Sequence, residues 1–322
     1  MRAHWIIGPC SVLLLSACLK DELPAPVQPR GEGRSVQVYM GTGYQDQLWM
    51  DLGTGAVVST NVKTAWDLAF ESAADGWHVM LNGSRLMTAW NLGPVDITLP
   101  GDTSGMGAAR RIDAPSGDPD STALGDWRAT GNVYLLDLGY NTSGVWLGTR
   151  KLRMTGVTGS YYSFDVALLD GSDLRSVTVP KDASRTFTSY SFASGVVAIE
   201  PPAGSWDVVF TQYTHQFYEP FLPYIVTGVL VDRGRARIAR VDHAEFTSVT
   251  LADTLTHPFT LRRDAIGYDW KTYSFETSSY TIDATIVYII EDGEGYFHKL
   301  HFLDFYNDQG VAGYPLFEVV PL

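Results

Sequence analysis

Apolar and polar residues alternate with a period of two along most of this chain, and that alternation predicts β-strands. Segments 47–52, 160–169, 187–199 and 280–291 are rich in Val, Ile, Tyr, Phe and Thr and are bounded by Gly, Asp and Pro. After the last of these stands Asp292-Gly293-Glu294-Gly295, which reads as a hairpin turn because glycine supplies the positive φ such loops need. From 297 to 305 both faces are apolar, with Phe297, Leu303 and Phe305 on one and Leu300 and Phe302 on the other. That strand is predicted to be buried on both sides. No amphipathic stretch of helical period runs longer than a turn or two. The pattern predicts an all-β architecture of sandwich type.

The pattern also occurs twice. Gly55-Ala56-Val57-Val58 leads to Trp66-Asp67-Leu68-Ala69-Phe70 after the same interval that separates Gly195-Val196-Val197-Ala198 from Trp206-Asp207-Val208-Val209-Phe210, an offset of 140 without a gap. A second echo links Val133-Tyr134-Leu135-Leu136-Asp137 and Lys151-Leu152-Arg153-Met154 to Val287-Tyr288-Ile289-Ile290-Glu291 and Lys299-Leu300-His301-Phe302. Solenoid repeats run roughly 20–50 residues, so a period this long predicts two tandem domains. They are placed at 35–178 and 179–322, with the boundary near 177–186. The recurring Trp-Asp pairs are read as core: tryptophan buries a large area, and the aspartate beside it can cap backbone donors across the sheet.

Residues 1–17 read as a lipoprotein signal peptide. A basic start at Arg2 precedes an apolar stretch over 5–15 that is interrupted by Gly8 and Pro9 and falls short of the roughly 20 residues that span a bilayer. The stretch closes on Leu15-Ser16-Ala17-Cys18, a lipobox pattern, so Cys18 is expected to be acylated and to hold the exported chain at a membrane. Residues 18–34 form a tether stiffened by Pro24, Pro26 and Pro29. Cys18-Leu19-Lys20-Asp21-Glu22 resembles the signal that sends Bacteroidota lipoproteins to the outer face of the outer membrane.

A net charge of −13 argues against sequence-independent nucleic-acid binding, which relies on a basic surface. Cys10 leaves with the signal and Cys18 carries lipid, so the mature chain has no thiol pair to oxidise, and its stability must come from packed cores.

Several stretches of the second half carry a resemblance to a known family. They are Trp206-Asp207-Val208-Val209-Phe210-Thr211-Gln212-Tyr213-Thr214, Tyr224-Ile225-Val226-Thr227-Gly228-Val229-Leu230, Ile266-Gly267-Tyr268-Asp269-Trp270-Lys271, and the closing Val287-Tyr288-Ile289-Ile290 with Lys299-Leu300-His301-Phe302-Leu303-Asp304-Phe305. In these the chain resembles the HmuY family, haem-binding surface lipoproteins of Bacteroidota, here in a tandem form that departs from the single-domain members. The resemblance implies a mostly β fold, an outer-membrane anchor, haem as ligand, and delivery to a TonB-dependent outer-membrane receptor.

Haem capture needs axial donors to iron, a flat apolar cleft and cations for the propionates. In the family's single-domain haem carriers two histidines ligate iron, one of them seven residues before a Tyr-x-Leu strand start. Tyr280-Thr281-Ile282 matches that start, and Tyr273 stands where the histidine would be. A phenolate can ligate ferric haem, so Tyr273 is a candidate ligand; a half-buried strand residue is the alternative. His215 lies where strand gives way to an aromatic segment, and His78, beside Trp77 and two residues before Met80, occupies a comparable place after the first Trp-Asp pair. Both are candidate haem ligands, the alternative being surface histidines. Arg233, Arg235 and Arg237 alternate along what reads as one strand face, either for propionates or a partner or as a charged, protected edge.

His298 and His301 have a metal-like spacing, but residues three apart on a strand point to opposite faces, so no metal site is assigned. No Gly-x-Ser-x-Gly elbow, phosphate loop or mature thiol nucleophile is present, and the chain reads as a binding protein rather than an enzyme. A second reading is a non-enzymatic surface module of the same fold that lost haem ligation and binds glycan, protein or another small apolar ligand.

Overall fold

The computed structural model describes residues 31–104 and 106–322. Cys18, the signal peptide and most of the tether lie outside them. The chain is all-β, with only short 3-10 turns between strands.

Three strands open the described chain: β1 (Arg34–Gln37), β2 (Asp46–Asp51) and β3 (Ala56–Val62). Six follow: β4 (Leu68–Glu71), β5 (Val79–Leu81), β6 (Thr88–Asn91), β7 (Tyr134–Asp137), β8 (Thr149–Val157) and β9 (Tyr161–Ala167). The second repeat begins with β10 (Arg175–Pro180), β11 (Phe187–Ser191) and β12 (Gly195–Val197). It continues through β13 (Val208–Tyr218), β14 (Phe221–Val231), β15 (Arg237–Val241), β16 (Lys271–Ser274), β17 (Ser279–Ile282), β18 (Val287–Glu291), β19 (Phe297–Tyr306) and β20 (Ala312–Pro321). The stretch 187–199 is thus a hairpin rather than one strand, and 280–291 breaks at 283–286. The turn at 292–295 is as the sequence predicts, but the strand after it is buried on both faces only over 298–302: a register shift between Phe302 and Asp304 leaves Leu303 exposed and brings Phe305 into the same core as Leu300 and Phe302.

One sandwich pairs the sheet β12-β11-β4-β5 with β10-β9-β8-β7-β6, and the other pairs β3-β2-β13-β14 with β1-β20-β19-β18-β15. The orders coincide once β10, β11 and β12 are equated with β1, β2 and β3. The two largest apolar cores among the described residues follow the same partition. Phe70, Tyr134, Tyr162 and Phe164 centre the first; Met50, Phe210, Trp270, Phe302 and Phe317 centre the second.

The repeat boundaries at 35–178 and 179–322 therefore do not bound the sandwiches. The first sandwich is the continuous run 68–197, whereas the second joins 34–62 to 208–321 around it. Each repeat contributes its opening three strands to the other repeat's core: β2 pairs with β13, Met50 opposite Val208, and β11 pairs with β4, Tyr190 opposite Leu68. Similarity at an offset of 140 reports which segments are equivalent, not which copy they pack with. The Trp-Asp pairs seal this exchange. Asp207 accepts a hydrogen bond from Leu52 N at 2.9 Å, and Asp67 accepts one from Phe192 N at 2.7 Å. Leu52 and Phe192 are themselves 140 apart, so each aspartate caps a strand of the opposite repeat.

Candidate functional site

The two sandwiches differ where β4–β5 and β13–β14 correspond. The first pair is in register only over Leu68–Leu81, Ala69–Met80 and Phe70–Val79, whereas the second runs eleven residues out to Tyr218 opposite Phe221. This long hairpin, together with the β16–β17 hairpin, encloses a cleft of about 960 Å³ at one end of the second sandwich.

Period two puts Phe217, Leu222, Tyr224 and Val226 on one face of β13–β14, which forms one wall. Tyr273 and Tyr280, cross-strand partners whose rings lie 5.0 Å apart, form the other with Phe275. Tyr44 and Tyr306 lie in the same lining; the hydroxyls of Tyr44 and Tyr280 bond to each other, and Tyr306 Oη accepts a bond from Tyr280 N at 2.6 Å. Burial raises the phenol of Tyr44 first, and neighbouring tyrosines add to it. Lys271 is the one lysine or arginine in the lining among the described residues. Its Nζ donates to Thr227 O and lies 4.1 Å from the Trp270 ring centre, and burial pushes its pKa down to about 7 against the pull of Asp269.

Gly228 sets the position of the segment carrying Tyr268, Asp269 and Lys271. A Cβ there would meet Gly267 O at 2.3 Å and Tyr268 Cα at 3.0 Å, both backbone atoms that cannot rotate away. Gly228→Ala is therefore expected to displace this wall and weaken any ligand of the cleft by about tenfold or more, whereas an unchanged affinity would place the ligand elsewhere.

The sequence candidates separate in space. Tyr273 lines the cleft. His215 sits on the same hairpin face, opposite Tyr224, but lies behind the lining, with its ring 5.0 Å from Tyr268 and 4.9 Å from Phe217. Its Nδ1 is buried without a hydrogen-bond partner among the described residues, and burial disfavours its protonated form. His78 is remote from the cleft, its Nδ1 bonded to Glu71 Oε2 at 2.5 Å and its ring against Trp77.

Arg233 and Arg235 do not share a strand face with Arg237. They occupy the turn between β14 and β15, where Asp232 accepts a bond from Gly234 N, and only Arg237 enters β15, paired with Glu291. None of the three lines the cleft, so a propionate role there is not supported by position. His298 bonds Asp292 and His301 bonds Glu318, in keeping with their opposite orientations. Sequence reasoning missed Tyr44, Tyr224, Lys271 and Tyr306. The signal available was the density of tyrosines around Tyr268, Tyr273 and Tyr280.

β1 runs antiparallel to β20, with Arg34 opposite Val319, while Ala312 at the other end of β20 lines the cleft. Seven residues of strand, roughly 25 Å, thus separate Arg34 at the start of β1 from the cleft.

A second, smaller cavity of about 190 Å³ lies on the seam between the sandwiches. Glu200 at its edge accepts a bond from Thr186 N at 2.8 Å, yet burial raises its pKa to about 7. A carboxyl raised this way in the folded state contributes stability that is full below its ordinary value near 4.5 and lost as pH climbs through 7. Glu200→Gln should remove that loss. Urea unfolding is expected to show the variant gaining about 2–3 kcal/mol on the parent between pH 5 and pH 8. Parallel pH profiles would rule this out.

The HmuY protein family model matches residues 43–319. No curated protein matches the sequence. Among solved structures, apo PinO from Porphyromonas gingivitis is similar at 8% identity over 91% of this chain and 99% of its own, with a TM-score of 0.34. The apo HmuY analog of Tannerella forsythia is 13% identical over 54% and 96%, with a TM-score of 0.23. An HmuY-like haem-binding protein from Bacteroides vulgatus is 10% identical over 53% and 91%, also with a TM-score of 0.23.

Proposed function

The chain belongs to the HmuY family, and from that premise we propose that its cleft captures one haem-type porphyrin per chain. The observation that carries this is the cleft itself. Its volume falls within the roughly 300–1,000 Å³ of cofactor sites, and its walls are aromatic and apolar. Of the axial donors iron accepts, the lining among the described residues offers tyrosine and no histidine, so the fit is to a ferric porphyrin held by a phenolate. Tyr273 is the donor matched by family position. Tyr224, Phe217 and Phe275 would flank the macrocycle, and Lys271 is the nearby cation for a propionate. Haem would supply only its iron and its flat apolar surface. The chain supplies the walls, the donor and exclusion of water.

The first sandwich, lacking the long hairpin, is assigned no site of this kind. Acylation at Cys18 would anchor the protein at the outer membrane, and the cleft, at the far end of β20, would open away from the lipid toward a receptor able to take the porphyrin. In this reading the protein is a carrier and not an enzyme.

Haemin titration of the soluble chain is the test: the Soret band should shift and saturate at one equivalent. Absence of a shift would favour the second reading, an aromatic cleft that has lost haem and holds another small apolar ligand. The absence of histidine from the lining is the observation in favour of that alternative.

A further inference from the structure

The seam cavity is lined by Asp232, Arg233 and Arg263 of the second sandwich, Glu200 and Trp206 of the link, and Gly117 and Thr186 of the first sandwich. Its walls are fixed by backbone. Arg263 N donates to Ser116 O of the first sandwich at 2.8 Å, and Arg263 O accepts from Val231 N at 2.8 Å. Gly117 packs so closely on the two arginines that a Cβ there would lie 3.0 Å from Arg263 Cβ and 3.4 Å from Arg233 Cδ.

Polar atoms of both signs face one another here unused. Asp232 is 3% exposed and Trp206 4%, yet Asp232 Oδ2 and Trp206 Nε1 have no hydrogen-bond partner among the described residues. Neither guanidinium makes a hydrogen bond or ion pair with a described residue, although Glu200, Asp232 and Asp113 all act electrostatically on Arg263. The two atoms buried without partners, Asp232 Oδ2 and Trp206 Nε1, cost several kcal/mol, which points to an occupant; the guanidiniums beside them are half-buried. Glu71 and His78, also at the edge, already satisfy each other.

The charge balance selects the occupant. With Glu71 engaged, two arginines face two carboxylates, so a simple anion would sit against Asp232 and Glu200, and a simple cation against two guanidiniums. Only a molecule carrying both charges satisfies all four. The volume of about 190 Å³ holds one small organic molecule or several waters and falls short of a porphyrin site.

We propose that the seam cavity binds a small zwitterion, a free α-amino acid being the simplest, with its carboxylate on Arg263, Arg233 and Trp206 Nε1 and its ammonium on Asp232 and Glu200. The site is independent of the cleft, and its occupant is held by the second sandwich and the link, against Gly117 of the first.

The test is calorimetric titration and thermal unfolding of the full chain at pH 8 with glycine, L-alanine and L-serine, using acetate and methylammonium as singly charged controls. At least one zwitterion should bind one to one, raise the unfolding midpoint by several degrees at about 100 times its Kd, and bind at least about tenfold tighter than either control. Asp232→Asn should weaken that binding about tenfold or more while preserving the fold, and Glu200→Gln serves as the second variant should Asp232→Asn unfold. Failure of all three amino acids to bind, equal binding of either control, or undiminished affinity in the folded variant would overturn the proposal.

Discussion

Replacing Asp67 with alanine is expected to cost about 3–5 kcal/mol of stability, more than the same change at Asp207. Asp67 is 4% exposed and forms an ion pair with Arg85, whose side chain is equally buried. Arg85 is held in place by Leu138 O and Trp66 O, each at 3.1 Å, so it cannot swing out to water when its counterion is removed. The same substitution also strips Phe192 N of its acceptor. Asp207→Ala should cost less, about 1–3 kcal/mol, because Asp207 caps Leu52 N without an arginine partner and burial already raises its carboxyl to about 6. Urea unfolding of both variants checks the order. A loss below about 1 kcal/mol for Asp67→Ala would mean that the exchanged strands are not locked by this contact.

The second large effect is expected at Tyr273. Tyr273→Phe keeps the ring against Phe275 and Tyr280 and removes only the oxygen, so any fall in haemin affinity reports ligation rather than packing. We expect a loss of at least about tenfold and disappearance of the phenolate-to-iron absorption band. Tyr273→His should restore tight binding with a different spectrum. His215→Ala, one layer behind Tyr268, should leave most of the affinity, and His78→Ala should leave all of it. A Tyr273→Phe protein that binds haemin with an unchanged spectrum would remove Tyr273 from the site.

Much of the fold was legible because strand patterning is local. Alternation located β2, β9, β11, β18 and β19, whereas the bulge after Phe302 that turns Leu303 outward left no mark in the pattern of 297–305. The turn at 233–235 carried a signal that was passed over: Asp232-Arg233-Gly234-Arg235 has the aspartate and glycine of a turn, which outweigh the apparent alternation of arginines. The exchange of β1, β2 and β3 for β10, β11 and β12 was not legible, since equivalent strands have the same pattern whichever core receives them. Tyr273 was reachable through family position. The cleft was not, because it is assembled from segments near 44, 217–226, 268–280 and 306–312 that only the long hairpins bring together. The seam cavity was hidden for the same reason: Arg263, Asp232 and Glu200 look like ordinary surface charges until two sandwiches close over them.

The most direct measurement is a crystal structure of the chain grown with haemin. Expected is one porphyrin between the β13–β14 and β16–β17 hairpins, with iron bonded to Tyr273 Oη. Porphyrin bound at His78 or on the first sandwich, or a cleft occupied by something other than a porphyrin, would contradict it.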